Sequence, residues 1–304
     1  MGASVGTYLM LMKLKTYFLS VSVAALACVN FIGTPAYAMD AGILDFAVAQ
    51  EETTLQARVG VAVIDTGSGL TWQYRGNERF PLNSTHKAFA CAAVLAQADS
   101  RTLSLDLAVP VDHTALVAYS PVTEKVPPGG TLSLRELCRA AVSVSDNTAA
   151  NLALNAIGGA PTLTAFMRSI GDDETRLDRR EPELNEATPG DVRDTTTPLA
   201  AARSLRKLLL GDVLSAPARD ELTQWMLGDQ VADALLRAGL PKDWRIADKS
   251  GAGDHGSRSI IAVVWPPKRS AVIIAVYITQ TAAPMSARNQ AVTRIGSALA
   301  KALQ

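Results

Sequence analysis

Strand-like segments lie near both ends of this chain, while the long stretch between them is helical by its pattern. A β-branched run over residues 58–65 is followed, across a Thr-Gly-Ser-Gly turn, by a second run over residues 70–74, which predicts a hairpin. Three further runs cover residues 244–248, 259–265 and 271–279. Because one sheet can hold all five runs only if the chain ends meet, the sequence predicts a sheet built from both ends, with a helical domain inserted between them.

Capping residues mark helices in the middle of the chain. Ser133 and Glu136 form a capping box ahead of an apolar run, and Thr197 followed by Pro198 starts a helix that Gly211 ends. Further helices are predicted over residues 215–228 and 286–303.

The domain boundaries follow from this order of elements. We assign residues 39–78 and 228–304 to the sheet domain and residues 79–227 to the helical domain, with a cleft where the two meet. Residues 176–194 are rich in charge, proline and glycine without a clear period, which indicates a long functional loop.

The first 38 residues have the pattern of a secretory signal peptide. Lys13 and Lys15 precede an uncharged run over residues 17–32, and Ala36-Tyr37-Ala38 provides a small-x-small cleavage site. A membrane anchor or a buried helix is the alternative, but the run is short for a span, and Pro35 lies between the run and the cleavage site. We expect cleavage near Ala38 and a product secreted to the periplasm.

Charge and histidine placement argue against several classes of partner. Lys and Arg number 29, Asp and Glu also number 29, and no basic run is long enough to follow a nucleic-acid backbone. His86, His113 and His255 lack the spacing of metal ligands. The Gly-x-Gly-x-x-Gly pattern at residues 251–256 precedes a strand, whereas a dinucleotide site requires a helix there. We expect no metal, no cofactor, no nucleic acid, no stable membrane association and a monomer.

Two cysteines remain once the predicted signal peptide, which contains Cys28, is removed. An even pair in an oxidising compartment is more often a disulfide than a metal site or a nucleophile. The sequence therefore predicts a disulfide between Cys91 and Cys138, and two unpaired core thiols are the alternative.

A serine and a lysine open a strongly apolar helix, at Ser84 and Lys87. Residues three apart on a helix share a face, so the lysine amine can help to deprotonate the serine hydroxyl. The same spacing at Ser204 and Lys207 is interpreted as an ordinary exposed helical face. The spacing alone is a weak signal, and taken by itself it favours Ser84 as a helix N-cap.

Two three-residue motifs further along the chain strengthen the interpretation of Ser84 and Lys87 as a catalytic pair. Ser145-Asp146-Asn147 follows the helix that carries Cys138, and Lys249-Ser250-Gly251 ends a strand. In this order, the three motifs are the set found in class A β-lactamases and penicillin-binding proteins. The chain resembles a class A serine β-lactamase over nearly its whole length after the leader. This resemblance implies a mixed α/β fold with a five-stranded antiparallel sheet and flanking helices. Further matching segments lie at residues 119–125, 176–186, 193–198 and 247–253.

The resemblance implies chemical roles for four side chains. Ser84 would attack the lactam carbonyl and form an acyl-enzyme, and Ser145 would pass a proton to the lactam nitrogen. Either Lys87 directly or Glu181 through a water would activate Ser84. The backbone N–H groups of Ser84 and Ala252 would form the oxyanion hole.

Substrate binding is implied in the same way. Lys249, Ser250 and Arg258 would hold the substrate carboxylate. Asn147 would hold the acylamide side chain, and Tyr119 would wall the cleft. The full set of substrate-binding residues is Tyr119, Asn147, Asn185, Lys249, Ser250, Gly251 and Arg258.

Glu181 distinguishes the two families that share these motifs. A penicillin-binding protein has the same serine, lysine and triplets but nothing that activates a hydrolytic water. Glu181 can orient such a water, and an ion pair between Arg179 and Asp194 would pin the ends of its loop. The implied activity is β-lactam hydrolysis that confers resistance. A D,D-peptidase and a lactam-sensing domain are the alternatives.

Several residues bear on the substrate range. Asn83, His86 and Arg180 depart from the usual pattern of the family, although none removes a catalytic group. Small residues at Ala118 and Gly253 favour penicillins and early cephalosporins over bulky oxyimino compounds. A slight similarity to the carbenicillin-hydrolysing branch covers residues 147–151 and 259–265, but that branch often has Arg in place of Lys249.

Overall fold

A computed structural model describes residues 1–3 and 39–304 of this protein. The signal-peptide prediction falls on residues that, apart from the first three, lie outside the described part, and so does Cys28. It therefore stays a prediction. Within the described residues, no helix is both long and apolar enough to cross a membrane.

The five predicted strands lie near the two ends of the described chain and most of the helices lie between them, as the sequence pattern predicts, while four further short strands were not predicted. In chain order, the strands of the described part are β1 (Arg58–Asp65), β2 (Thr71–Tyr74), β3 (Phe80–Pro81), β4 (Ala108–Pro110), β5 (Thr131–Ser133), β6 (Thr195–Thr196), β7 (Arg245–Ala252), β8 (Arg258–Trp265) and β9 (Val272–Thr279). Its α-helices are α1 (Ala41–Leu55), α2 (His86–Asp99), α3 (Leu134–Ser143), α4 (Asn147–Ala156), α5 (Ala160–Ser169), α6 (Pro198–Leu210), α7 (Ala216–Leu227), α8 (Leu236–Gly239) and α9 (Met285–Ala302).

The main sheet joins the two ends of the chain, which confirms the predicted fold class. Its five strands are antiparallel in the order β2-β1-β9-β8-β7. Strand β1 pairs with β9 along its whole length, from Arg58 opposite Thr279 to Asp65 opposite Val272. This pairing brings together segments more than 200 residues apart, so the helical middle must leave the sheet and return to it.

The sheet is buried on both faces because helices cover each of them. On β1, Ala62 and Ile64 face the core formed with the middle helices, while Val61 and Val63 belong to a second core with α1 and α9. Side chains alternate between the faces of a strand, so a β-branched run with no polar face suits this position. Helix α1 was not predicted from the sequence. Its N-cap is Asp40, whose carboxylate accepts from the N–H of Gly42.

Helix α2 lies at the centre of the helical part and positions the residues that precede it. Every residue from His86 to Leu95 is buried, which explains why the sequence has no polar stripe there. The capping box at Ser133 and Glu136 forms at the start of α3, as predicted. The described residues 39–304 belong to one compact unit, so the division near residues 79 and 228 stays a prediction.

Two sequence interpretations are wrong in the structure. Ser204 is not on an exposed face: it is buried, and its hydroxyl donates to the Asp172 carboxylate at 2.7 Å. The predicted disulfide is also absent, since Cys91 and Cys138 are free. The two are adjacent in the core, where the Cys91 thiol lies 3.7 Å from the Cys138 carbonyl oxygen. Both side chains are completely buried and pack there as small apolar groups, and burial raises the pKa of the Cys138 thiol.

Alkylation should distinguish free thiols from a disulfide. Iodoacetamide is expected to leave Cys91 and Cys138 unmodified in the native protein, because both are completely buried. It should modify both after unfolding in denaturant without a reductant. Peptide mass spectrometry measures the modified fraction at each cysteine, and a Cys91–Cys138 cross-linked peptide from the unreduced, unfolded chain would contradict this prediction.

Candidate active site

Ser84 and Lys87 sit at the start of α2, in the middle of the molecule. Ser84 is in the short 3₁₀ turn Asn83–Thr85, and its Oγ lies 3.4 Å from Oε1 of Glu181. Lys87 follows in the first turn of α2, and its Nζ is 3.1 Å from that same carboxylate oxygen. One oxygen of Glu181 therefore contacts both the hydroxyl and the amine.

Lys87 is surrounded by acceptors and is completely buried. Its Nζ donates to Oδ1 of Asn147 at 2.5 Å, and to the carbonyl oxygen and the Oγ of Ser145 at 2.8 and 3.3 Å. Burial lowers the pKa of Lys87 below its ordinary value, although the Glu181 carboxylate opposes the shift. Burial raises the pKa of Glu181, but the Lys87 ammonium together with His86 and the bond from Asn185 outweighs this effect, and the pKa is lowered. Glu181 is thus a charged acceptor at neutral pH.

The loop that carries Glu181 is fixed at its base by α4. The side chain of Asn151 accepts from the Glu181 N–H and donates to the Glu181 carbonyl, each at 2.9 Å. Asn185 donates to the second carboxylate oxygen of Glu181. Asn151 was not singled out as a site residue from the sequence. The available signal was its position four residues after Asn147, which places both on one face of α4.

The ends of the loop meet at the predicted Arg179 and Asp194. Asp194 is buried, and its Oδ1 accepts from the backbone N–H groups of Asp178 and Arg179 at 2.8 and 2.9 Å. Its Oδ2 accepts from Nε of Arg179 at 2.6 Å. Three charge-assisted bonds therefore close the loop at one carboxylate.

Ser145 and Lys249 form the opposite side of the site. Lys249 is buried in β7, and its Nζ donates to Oγ of Ser145 at 3.1 Å and to the Ser250 carbonyl at 2.8 Å. The Ser145 hydroxyl thus accepts from two lysines. Burial lowers the pKa of Lys249 to about 8, and the Asp229 carboxylate opposes this shift.

The end of β7 packs directly on the turn that carries Ser84. A Cβ at Gly251 would lie 2.6 Å from the Ser84 nitrogen, so only glycine allows this approach. Ala252 is the next residue, and Arg258 is its partner across the β7–β8 pair. Arg258 is buried, and its guanidinium bonds the Gly251 carbonyl at 2.9 Å and Asn289 at 2.8 Å.

Tyr119 and Asn147 form the outer rim. Tyr119 is exposed and has a left-handed backbone, with φ of 62°. The backbone N–H of Asn147 donates to the Tyr119 carbonyl at 3.0 Å, and Nδ2 of Asn147 donates to the Ala118 carbonyl at 2.8 Å. Through Asn147, the rim is joined to Lys87. The structure therefore gathers the predicted catalytic and substrate-binding residues into one connected network around Ser84.

Known proteins match nearly all of the described chain. A family model described as the β-lactamase enzyme family matches residues 46–303. β-Lactamase AER-1 of Aeromonas hydrophila is 60% identical over 276 residues, which cover 90% of this chain and 91% of that protein. β-Lactamase CARB-3 of Pseudomonas aeruginosa is 49% identical over 248 residues, which cover 82% of this chain and 86% of that protein. The solved structure of an ancestral class A β-lactamase superposes with a TM-score of 0.84 at 50% identity and covers 85% of this chain and 99% of its own.

Proposed function

This chain belongs to the class A β-lactamases, the serine hydrolases that cleave β-lactam antibiotics and confer resistance, and we propose that it acts through an ester on Ser84 that a Glu181-activated water cleaves. The observation that carries the proposal is the shared contact of Glu181 Oε1, at 3.4 Å from the Ser84 hydroxyl and 3.1 Å from the Lys87 amine. A base this close to the nucleophile is also close to any ester formed on it.

Acylation begins when Ser84 Oγ attacks the lactam carbonyl and its proton passes to the base. Glu181 is the acceptor of the Ser84 hydroxyl in the resting site, while Lys87 contacts the same oxygen and steadies its charge. The oxyanion forms against the N–H groups of Ser84 and Ala252. The ring opens when the C–N bond breaks, and the nitrogen takes a proton from Ser145. That hydroxyl is suited to donate, because Lys87 and Lys249 occupy its lone pairs. Lys87, which contacts both Ser145 and Glu181, then returns a proton to Ser145 and takes one from Glu181, so the carboxylate is charged again before deacylation.

Deacylation uses the same carboxylate. A water between Glu181 and the ester gives one proton to Glu181 while its oxygen attacks the carbonyl. The Ser84–acyl bond then breaks, and Ser84 Oγ takes a proton back. Bonds from Asn151 and Asn185 hold Glu181 at its backbone and at its carboxylate, which fixes the water-directing oxygen. The Arg179–Asp194 pair holds the rest of the loop.

Substrate recognition follows from the charges that line β7 and β8. Lys249 and Arg258 supply the positive charge for the substrate carboxylate, and Ser250 follows Lys249 in β7. Asn147 binds the acylamide side chain, and Tyr119 covers it. The small residues Ala118 and Gly253 favour penicillins and early cephalosporins. We further propose that the enzyme works as a periplasmic monomer.

Nitrocefin hydrolysis combined with intact-protein mass spectrometry tests the proposed mechanism. The protein should hydrolyse nitrocefin with many turnovers, and after mixing with benzylpenicillin it should return to its unmodified mass within the mixing time. A D,D-peptidase or a lactam sensor would instead keep a stoichiometric adduct on Ser84 for hours, and that result would overturn the proposal.

The pH dependence of kcat/KM should report the charge of Lys249. Its pKa of about 8 means that the ammonium loses its proton as the pH rises through this value, so attraction for the substrate carboxylate falls. We expect kcat/KM for benzylpenicillin to drop about tenfold between pH 7 and pH 9, because the charged fraction of Lys249 falls by about that factor. In Lys249→Arg the guanidinium stays charged, so the alkaline decline should move above pH 9. An identical decline in both proteins would contradict the assignment.

A further inference from the structure

The turn that carries Ser84 is held by two side chains that the proposed mechanism does not use. They are Asn83 and His86, two of the residues that depart from the usual pattern of the family. Both are almost completely buried, with 1% of each exposed. They flank Ser84 on either side, so any contact they make acts on the backbone of the nucleophile.

Asn83 has a backbone conformation that few residues tolerate. Its φ is 46°, in the left-handed region where asparagine is enriched over other residues with a Cβ. Its side chain reaches the β7–β8 connection: Oδ1 accepts from the Ser257 hydroxyl at 3.2 Å, and Nδ2 lies 3.5 Å from the Ser259 hydroxyl. The amide therefore links the nucleophile turn to the hairpin that carries Ala252.

His86 holds the same turn from the helix side. Its Nδ1 lies 2.8 Å from the carbonyl oxygen of Asn83. A carbonyl can only accept, so Nδ1 must carry the hydrogen. Burial lowers the pKa of His86, which keeps the ring neutral with this single N–H available. The residue that is unusual at this position thus fixes the peptide that leads into Ser84.

The two N–H groups proposed for the oxyanion hole belong to two elements that Asn83 contacts. The N–H of Ser84 is on the turn, and the N–H of Ala252 is on β7. Asn83 packs against the residues on both sides of Ala252, because a Cβ at Gly253 would lie 2.7 Å from its Oδ1 and a Cβ at Gly251 would lie 2.8 Å from its Cβ. Changing the side chain at position 83 would therefore alter the separation of the two donors.

We propose that Asn83 and His86 are a positioning pair that sets the geometry of the oxyanion hole, with Ser257 as the anchor on the hairpin. The proposal rests on the proposed function, since it concerns the N–H groups that would bind the oxyanion. Neither residue touches the reacting atoms. Their effect should be confined to states in which a tetrahedral centre on Ser84 places an oxygen in that hole.

Two inhibitors separate this effect from general damage to the site. Phenylboronic acid forms a tetrahedral adduct on the serine and places a B–O group in the oxyanion hole, whereas the hydrolysed penicillin product binds through its carboxylates. In Asn83→Gly, which tolerates the positive φ but lacks the amide, the inhibition constant of phenylboronic acid should rise about tenfold or more. The acylation rate should fall in parallel, and the inhibition constant of the product should change less than about twofold.

The histidine is tested by a pair of variants. His86→Phe keeps a ring but has no donor, and it should show the same selective loss. His86→Asn should recover most of the boronate affinity, because its amide N–H can reach the carbonyl that Nδ1 bonded. Ser257→Ala removes the donor to Asn83 from the other side and provides an independent measurement if a variant of the turn folds poorly.

Asn77→Gly makes the same chemical change at an exposed position outside the site and serves as the matched control. The inference is overturned if boronate and product affinities fall together in Asn83→Gly, if neither falls, or if His86→Asn and His86→Phe behave alike. A wild-type protein that hydrolyses nitrocefin and binds phenylboronic acid shows that only this inference has failed. A wild-type protein that does neither contradicts the proposed function as well.

Discussion

Replacing Glu181 with Gln should trap the acyl-enzyme. Glutamine keeps the shape of the side chain and can still bond Asn185, but it cannot take a proton from water, so deacylation loses its base. We expect turnover of benzylpenicillin to fall about 10³-fold, in the range that general-base catalysis supplies. Ser84 should become fully acylated, because without the carboxylate the buried Lys87 loses the charge that opposes its deprotonation and can itself accept the serine proton. Stopped-flow absorbance measures both rates, and intact-protein mass measures the adduct.

Glu183→Gln is the matched control on the same loop. Glu183 is exposed, two residues further along, and it makes no side-chain contact with the site. This variant should hydrolyse benzylpenicillin within about twofold of the wild-type rate, as expected for a surface substitution. Rapid turnover by Glu181→Gln, or an adduct that accumulates equally in Glu183→Gln, would show that the base lies elsewhere.

The sheet could be predicted because its strands are apolar on both faces. The runs of Val and Ile in β8 and β9 are not interrupted by polar residues, so the predicted ends of these two strands agree with the structure to within one residue. The carboxyl end of β7 was less clear, since the hydrophobic run stopped at Asp248 and only the Lys249-Ser250-Gly251 motif indicated that the strand continues, which it does as far as Ala252. Lys249 and Ser250 are polar residues buried in a strand for function, and a hydrophobic pattern cannot detect them.

The contacts within the site could be predicted only in part. The motifs indicated Ser84, Lys87 and Ser145, but not that one oxygen of Glu181 would contact both the serine and the lysine. Asn151 was missed because its function is carried by hydrogen bonds to the backbone of Glu181, 30 residues away. A single sequence gives no record of such distant pairs.

The disulfide prediction failed for a related reason. Cysteine count and compartment indicate whether pairing is favourable, but the bonding state of two adjacent thiols is a separate property of the molecule. Here Cys91 and Cys138 are adjacent on α2 and α3 and yet free. The sequence therefore predicted that the two cysteines are neighbours, but it did not predict that their thiols are free.

Replacing Ser84 with Ala should abolish acylation while leaving the fold unchanged. The hydroxyl is the nucleophile, and loss of such a group in a serine hydrolase typically costs about 10⁶-fold in turnover. No adduct should form with benzylpenicillin, although the substrate should still bind through Lys249 and Arg258. Because the Ser84 hydroxyl makes one long bond to Glu181, and Lys87 remains on that carboxylate, the free energy of unfolding should change by no more than about 1 kcal/mol. Urea denaturation, equilibrium binding and intact mass measure these three properties.

Ser204→Ala should affect stability and not activity, the reverse of Ser84→Ala, although both serines stand three residues before a lysine. Ser204 and Lys207 repeat the Ser-x-x-Lys pattern, but Ser204 donates to Asp172 in the core, far along the chain from the catalytic motifs. Removing its hydroxyl should lower the free energy of unfolding by about 1–2 kcal/mol, since a buried carboxylate loses a donor, and should leave nitrocefin turnover unchanged. Loss of activity with Ser204→Ala, or rapid turnover by Ser84→Ala, would mean that the nucleophile has been misassigned. The Ser-x-x-Lys spacing is the same at both serines, so only the residues that surround each one distinguish them.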